Sequence, residues 1–520
     1  MNQSPKSSNP KNGANEYGAS EYGASVGAVS LVGGASVLNI FFGIIRMKVA
    51  AILLGPAGVG ILGLFQQLIA TASTLFALGF RESGTRQIAD AQANRSIIEQ
   101  GFVRRALFWS ALGLAITGGT VFFALRNWFA AIILEDPLKG AEIGWLALGV
   151  ALTVAAGSQQ ALLNGLRQVR TLALITVLTG ALSAIIAITA LVLCRDAAMV
   201  VFVLASPVAS FVLGHYFVAR LPRPEGPSVG LSRLGPEWAS MVRLGLAVML
   251  AALVVAVGHL AIRTILQHEL GSEALGLFTA AWLISQYYIG FLYAALTMDY
   301  YPRLTAAISD REAASQIINE QTEIGLLFAA PLFLMMMALA PYVLWILYSQ
   351  EFVQAADTLK WFVLGDILKT AAHPIGFALL AASAGRIYLG LRIFSIAVFV
   401  IIAALLIPVF GISGAGISYM LMYLIYLPIV FLLVKSLTGF SVQPKVVSVF
   451  GLTFFSAIAI ASLSFWSSLV SAILGSVFAI LVGLFSLSVI SHRGNLSGPV
   501  GRLAFIGKEI AILGKRYARH

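Results

Sequence analysis

Fourteen runs of about twenty apolar residues, each closed by a charge, a glycine or a proline, dictate what this chain can fold into. As an α-helix rising roughly 1.5 Å per residue, a run of that length crosses the ~30 Å hydrocarbon core of a bilayer, whereas a membrane barrel shows short alternating strands with polar interiors. The runs cover residues 26–46, 58–80, 103–125, 142–163, 171–193, 198–219, 242–266, 274–298, 323–347, 359–382, 387–409, 412–434, 446–466 and 469–490. Composition agrees, with 59% of residues hydrophobic, 11% charged and a mean hydropathy of +0.91. Soluble chains carry about 25% charged residues. The expected fold is therefore an all-α polytopic membrane protein with about fourteen transmembrane helices.

The flanks are of another kind. Residues 1–25 are polar, carry a tandem EYGAS pair and offer nothing to bury, which predicts a disordered cytoplasmic tail. The run after them is too long for a signal-peptide core and is expected to remain as the first span. The lone Cys194 excludes an intramolecular disulfide.

A shift of 216 residues lays the first six runs nearly onto the next six, and Gly55 and Gly60 onto Gly271 and Gly276. The chain thus reads as two six-helix bundles, 26–220 and 242–435, joined by a cytoplasmic linker at 221–241 and followed by an extra pair at 446–490 and a basic tail at 491–520. Six is even, so the bundles have one orientation, the parallel repeat of many transporters. Counting Lys and Arg with the N-terminus inside places 25 on the inner segments and seven outside, so both termini are predicted cytoplasmic. The net charge of +11 follows this bias, and the tail reads as an interfacial helix on anionic lipid, not a nucleic-acid binder.

No HExxH, paired cysteines, phosphate loop or GxSxG elbow is present, and the loops are short, so nothing points to an enzyme or to a cofactor or metal. The candidate chemistry lies on helix stripes. At about 100° per residue, Asp366, Lys369 and His373 share one face of the tenth span, with Lys369 near the bilayer midplane and Pro374 predicted to bend the helix there. A charge at that depth costs roughly 2.5–3.5 kcal/mol on insertion scales, so this face must meet a cavity or a partner. Spacing alone leaves two uses open: an Asp366–Lys369 pair that only holds helices together, or a ligand site. The equivalents in the first half are Val150 and Thr153, so the scaffold does not require these charges. Asn39 and Arg46 share a face of the first span, and Arg263 repeats Arg46; both arginines can equally snorkel to the interface. Gln66 and Gln67, then Trp282, Gln286 and Tyr293, then the Tyr419, Tyr423, Tyr426 stripe complete a polar and aromatic set that serves packing or binding.

The stretches NIFFGIIRMKVAAILLGPAGVGILGLFQQ, LGFRESGTRQIADA, LYAALTMDYYPRLTAAISD and GDILKTAAHPIGFALLA resemble the lipid-linked oligosaccharide flippases, the Wzx-type O-antigen translocases within the larger multidrug and polysaccharide exporter superfamily. The resemblance covers residues 26 to about 435 and implies a MATE-like fold. It implies an undecaprenyl-pyrophosphate-linked repeat unit as substrate, moved from the inner to the outer leaflet of the cell inner membrane, with membrane lipid and the polymerase and ligase machinery as partners. Carried over residue by residue, it puts cationic lumen positions on Arg46, Arg263, Lys369 and Arg392, and polar motif positions on Glu82, Arg86, Asp299, Arg303 and Asp366. The extra pair is similar to that of the lipid II flippase branch. The rival implied by the same fold is a multidrug/cation antiporter. It would want buried carboxylates, while the embedded excess here is basic.

Overall fold

The computed structural model describes residues 10–93, 97–222 and 234–493; side chains are described from Leu31 onward, and some positions, Asp299 among them, by backbone alone. The α-helices are α1 (Pro10–Phe76), α2 (Phe80–Ala93), α3 (Ile97–Ala124), α4 (Arg126–Ile133), α5 (Gly140–Gly165), α6 (Val169–Cys194), α7 (Met199–Ala219), α8 (Leu234–Ala307), α9 (Arg311–Leu347), α10 (Ala356–Ala381), α11 (Gly385–Phe410), α12 (Ile412–Thr438), α13 (Pro444–Trp466) and α14 (Ser468–Arg493). Among the described residues there is no strand. The chain is a multi-pass, all-α membrane protein.

Among the described residues twelve helices are long and apolar enough to cross a membrane, where the sequence suggests about fourteen spans. The difference has a local cause. Leu31–Phe76 and Val248–Gly290 are single stretches of 46 and 43 residues, each holding two of the expected runs. Each is broken at a glycine in the left-handed region, Gly55 (φ 65) in α1 and Gly271 (φ 80) in α8. That conformation costs an L side chain roughly 1–2 kcal/mol and a glycine almost nothing. A second difference lies at the N-terminus: α1 begins at Pro10, inside the stretch expected to be disordered. Residues 1–9 and the basic tail beyond Arg493 lie outside the described residues.

The 216-residue repeat holds at the level of whole helices. It maps α5 onto α10 and α6 onto α11 end to end, and Gly55 onto Gly271. Packing repeats as well: α5 lies against α3 and α7, with α6 on α7, while α10 lies against α9 and α12, with α11 on α12. The chain divides into two units, one of residues 1–46, 69–129 and 138–250, the other of 47–68, 130–137 and 251–520.

In the first unit the amphipathic α2 turns Phe80, Ile88 and Ala91 onto Val103, Leu107 and Ala161, which fixes it beneath the end of α5. Burying such side chains is worth roughly 1.5–3 kcal/mol each for the larger ones. In the second unit the two repeat-related hairpins touch through glycine: a Cβ on Gly60 would sit 2.3 Å from the Ser272 carbonyl oxygen, and one on Gly276 only 1.8 Å from that of Pro56.

The α13–α14 pair is tied to the second unit at both ends. Near the end of α12, Asn319 of α9 donates to the Ser441 carbonyl and accepts from the Gln443 amide, both at 2.8 Å. At the other end Lys360 of α10 donates to Asp357 (2.9 Å) and to Ser464 of α13 (2.7 Å). Asn319→Ala removes both hydrogen bonds, and is expected to lower stability by about 2 kcal/mol, read as a drop in the melting temperature of the detergent-purified protein. An unchanged melting curve would show that the latch contributes nothing.

Candidate functional site

Helix α10 carries the site of the second unit because its polar stripe meets two helices, α8 and α12, that supply hydroxyls and rings. Asp366 is 0% exposed. Its carboxylate accepts from Ser285 (2.7 Å) and Tyr288 (2.5 Å) of α8 and from Tyr419 of α12 (2.9 Å). Tyr419 reaches it because residue 365 is glycine: a Cβ there would lie 2.4 Å from the phenol ring. Three hydroxyl donors satisfy a carboxylate well, since hydrogen bonds to an ionised group are about twice as strong as neutral ones.

Of the two uses that spacing leaves open, a direct Asp366–Lys369 ion pair is not formed in this structure. The carboxylate oxygens are taken up by hydroxyls, and Lys369 Nζ instead lies 5.4 Å over the ring of Tyr293. Among the described residues Lys369 has no hydrogen bond and no ion pair. His373 stacks on the same Tyr293 ring, with centroids 4.0 Å apart and planes at 5°, and its Nε2 is buried without a partner. The helix runs on through Pro374 without interruption, and Tyr300 donates to the Pro374 carbonyl at 2.7 Å.

Two further cations belong to this neighbourhood. Arg263, 5% exposed, has its guanidinium 5.5 Å over the Phe278 ring and donates weakly to the His259 carbonyl at 3.4 Å. Arg392 of α11 interacts electrostatically with Tyr388, Tyr419, Tyr423 and Tyr426, and His259 feels Arg263, Lys369 and Arg392 together. Trp282 closes the wall, meeting His259 at 5.0 Å and Tyr419 at 5.5 Å between ring centroids. The result is a basic, ring-rich cluster whose central carboxylate, Asp366, is already satisfied. It suits an anion with polar, stackable appendages.

The other sequence candidates are spread more widely. In the second unit Gln286 has a buried Nε2 without a partner, Gln66 is half-buried, Gln67 donates to the Ala256 carbonyl at 3.0 Å, and Arg303 pairs with Glu320 at 3.8 Å. Asp299 is on α8 at a position whose side chain lies outside the described residues. In the first unit Arg46 lies 4.8 Å over the Phe202 ring and Asn39 sits against Gly180. Glu82 is exposed on α2, where Arg86 pairs with Asp90 at 3.8 Å. Sequence reasoning passed over Ser285, Tyr288 and His259. The signal for the first two was present: a serine and a tyrosine three apart inside an apolar run place two hydroxyls on one helix face.

Asp366→Ala leaves three buried hydroxyls without their acceptor and is expected to cost about 3 kcal/mol or more, whereas Asp366→Asn keeps an acceptor and costs less. Melting temperatures of the two variants check this, and equal values would contradict it.

Comparison with known proteins places this geometry. The chain is 25% identical over 417 residues to the lipid III flippases of Escherichia coli (strain K12) and of Shigella flexneri, covering 75% of this chain and 94% of each relative. Its fold matches a lipid II flippase, MurJ, in an inward closed conformation, with a TM-score of 0.69 at 10% identity over 89% of this chain and 99% of that one. It also matches an inward-facing multidrug resistance MATE family transporter of the MOP superfamily, with a TM-score of 0.65 at 18% identity over 78% and 96% of the two chains. These relatives are named as flippases and transporters, not as enzymes. A doubled bundle whose buried chemistry is binding, not bond-breaking, accords with the family described as polysaccharide biosynthesis protein, which matches residues 49–357, and to that family the chain belongs.

Proposed function

We propose that the chain is a flippase that carries a lipid-linked oligosaccharide across the cytoplasmic membrane from the inner to the outer leaflet by alternating access. The observation that carries this reading is a buried basic set, Arg263 against the His259 carbonyl and Lys369 over the Tyr293 ring with no direct carboxylate partner, to which Arg392 of α11 adds its charge. A pyrophosphate bears about two negative charges, and leaving such charge bare in hydrocarbon is prohibitive. These cations neutralise it, while Tyr293, His373, Gln286 and the Tyr419, Tyr423, Tyr426 stripe stack on or hydrogen-bond to sugars. The printed names of the lipid III flippases support the substrate class.

With each arm of α1 and α8 counted as one crossing, the chain passes the membrane fourteen times with both termini in the cytoplasm, in keeping with the positive-inside rule. An undecaprenyl-pyrophosphate-linked repeat unit for O-antigen or exopolysaccharide synthesis is the substrate we favour, handed on to polymerase or ligase machinery. An inside-negative potential favours outward movement of the anion by ~2.3 kcal/mol per charge per 100 mV.

The test is transbilayer movement of a fluorescent undecaprenyl-pyrophosphate oligosaccharide in proteoliposomes, beside efflux of a lipophilic cation from the same vesicles. Oligosaccharide movement without cation efflux is the expected result. The opposite pattern would establish the multidrug antiporter of the same fold.

A further inference from the structure

The first unit contains a recess built from none of the residues of the cationic cluster. Its volume is about 320 Å³, and it is lined by Ser36 of α1, Arg81 at the start of α2, Gln160 and Asn164 near the end of α5, and Thr176 of α6. That is the lower end of ligand pockets, which run roughly 300–1,000 Å³, so it has room for one sugar phosphate but not for a multi-sugar head.

The hydrogen-bonding state of the lining is specific. Ser36 and Thr176 each donate their hydroxyl proton to a carbonyl of their own helix, Val32 and Leu172, both at 2.9 Å. Their oxygens are left to accept, so a ligand must bring donors to them. Opposite in character, the Arg81 guanidinium and the Asn164 carboxamide have no side-chain partner among the described residues. An arginine offers a planar fork of donors that matches a phosphate. Arg81 is not loosely placed: Phe80 beside it is 3% exposed in the core under α5, and Thr85 one turn on lies 3.4 Å from the Ala161 carbonyl.

We propose that this recess binds the glycosyl phosphate part of the substrate, phosphate on Arg81 and the first sugar's hydroxyls donating to Ser36 and Thr176. It is a loading subsite at the end of the bundle that carries α2 and the basic Arg167 and Arg170, the cytoplasmic end by charge bias. The inference rests on the transport reading above and adds a place where the substrate is held before it reaches the cations of the second unit.

Calorimetric titration of the purified full chain with N-acetylglucosamine 1-phosphate tests it, beside inorganic phosphate and glycerol 3-phosphate. Arg81→Gln is expected to weaken sugar-phosphate binding about tenfold, the loss of one charge-assisted contact. Thr176→Val is expected to weaken the sugar phosphate severalfold and leave inorganic phosphate unaffected. In proteoliposomes Arg81→Gln should raise the substrate concentration for half-maximal flipping. Glycerol 3-phosphate binding as tightly as the sugar phosphate would assign the recess to ordinary phospholipid headgroups and overturn the proposal. Binding lost in Lys369→Ala but kept in Arg81→Gln would overturn it too. Failure of the wild type to flip at all sinks the transport reading, whereas a flipping wild type with an unchanged Arg81→Gln variant sinks the loading subsite alone.

Discussion

Lys369→Ala is expected to abolish oligosaccharide transport while leaving folded protein in the membrane. An ammonium at this depth costs roughly 2.5–3.5 kcal/mol to insert, and here no carboxylate takes it up, because Asp366 is engaged by Ser285, Tyr288 and Tyr419. The Tyr293 ring beneath its ammonium contributes about 0.5–2 kcal/mol, and Asp366 attracts it without a direct ion pair. An anionic ligand beside the ammonium would supply a direct partner. Removing one partner of a desolvated charge pair costs 2–5 kcal/mol, so the rate should fall at least about thirtyfold. Lys369→Arg should keep a measurable part of it. The assay is the proteoliposome measurement above, with circular dichroism and size exclusion to show folding. Full activity of the alanine variant would end the assignment of this lysine to the pyrophosphate.

Gly276→Val should have the largest effect on stability. Its Cβ would fall 1.8 Å from the Pro56 carbonyl oxygen, a backbone atom that cannot swing aside, so the two hairpins must separate. Overpacking of a well-packed contact typically costs 1–3 kcal/mol, and a backbone clash of this depth is expected to exceed about 3 kcal/mol. Gly60→Val, which meets the Ser272 carbonyl, should behave in the same way. Gly290→Ala on the same α8 meets nothing within 4 Å and should be neutral or slightly stabilising. Thermal unfolding of the three variants decides the matter, and a Gly276→Val protein as stable as wild type would show that the hairpin contact opens at no cost.

Much of this fold could be read before any coordinates, since burial in lipid forces long apolar helices and the helices that result are those runs with their ends adjusted. The expected span 142–163 became α5, Gly140–Gly165, and the span 387–409 became α11, Gly385–Phe410. The hairpin glycines were visible from the repeat, and their positive φ explains why two pairs of runs became single broken helices. The amphipathic α2 was not visible as an element, because its signal is a short alternation of faces between two strong apolar runs. The site was legible at the level of which helix face carries charge and no further. Whether Asp366 meets Lys369 or three hydroxyls depends on where α8 and α12 bring Ser285, Tyr288 and Tyr419, 53 to 81 residues away in sequence, which spacing on one helix cannot reveal.

The end-to-end match of α5 and α6 with α10 and α11 has a consequence for how such a protein can evolve. Two copies of one framework, kept in register, let one accumulate costly chemistry while the other preserves the shape. The positions of Asp366, Lys369 and Tyr419 are Val150, Thr153 and Val203 in the first copy, and Arg392 stands where that copy has Thr176. Each half can then take up a different part of the substrate at matching positions of one framework, and new preferences would be gained by changing one half at a time.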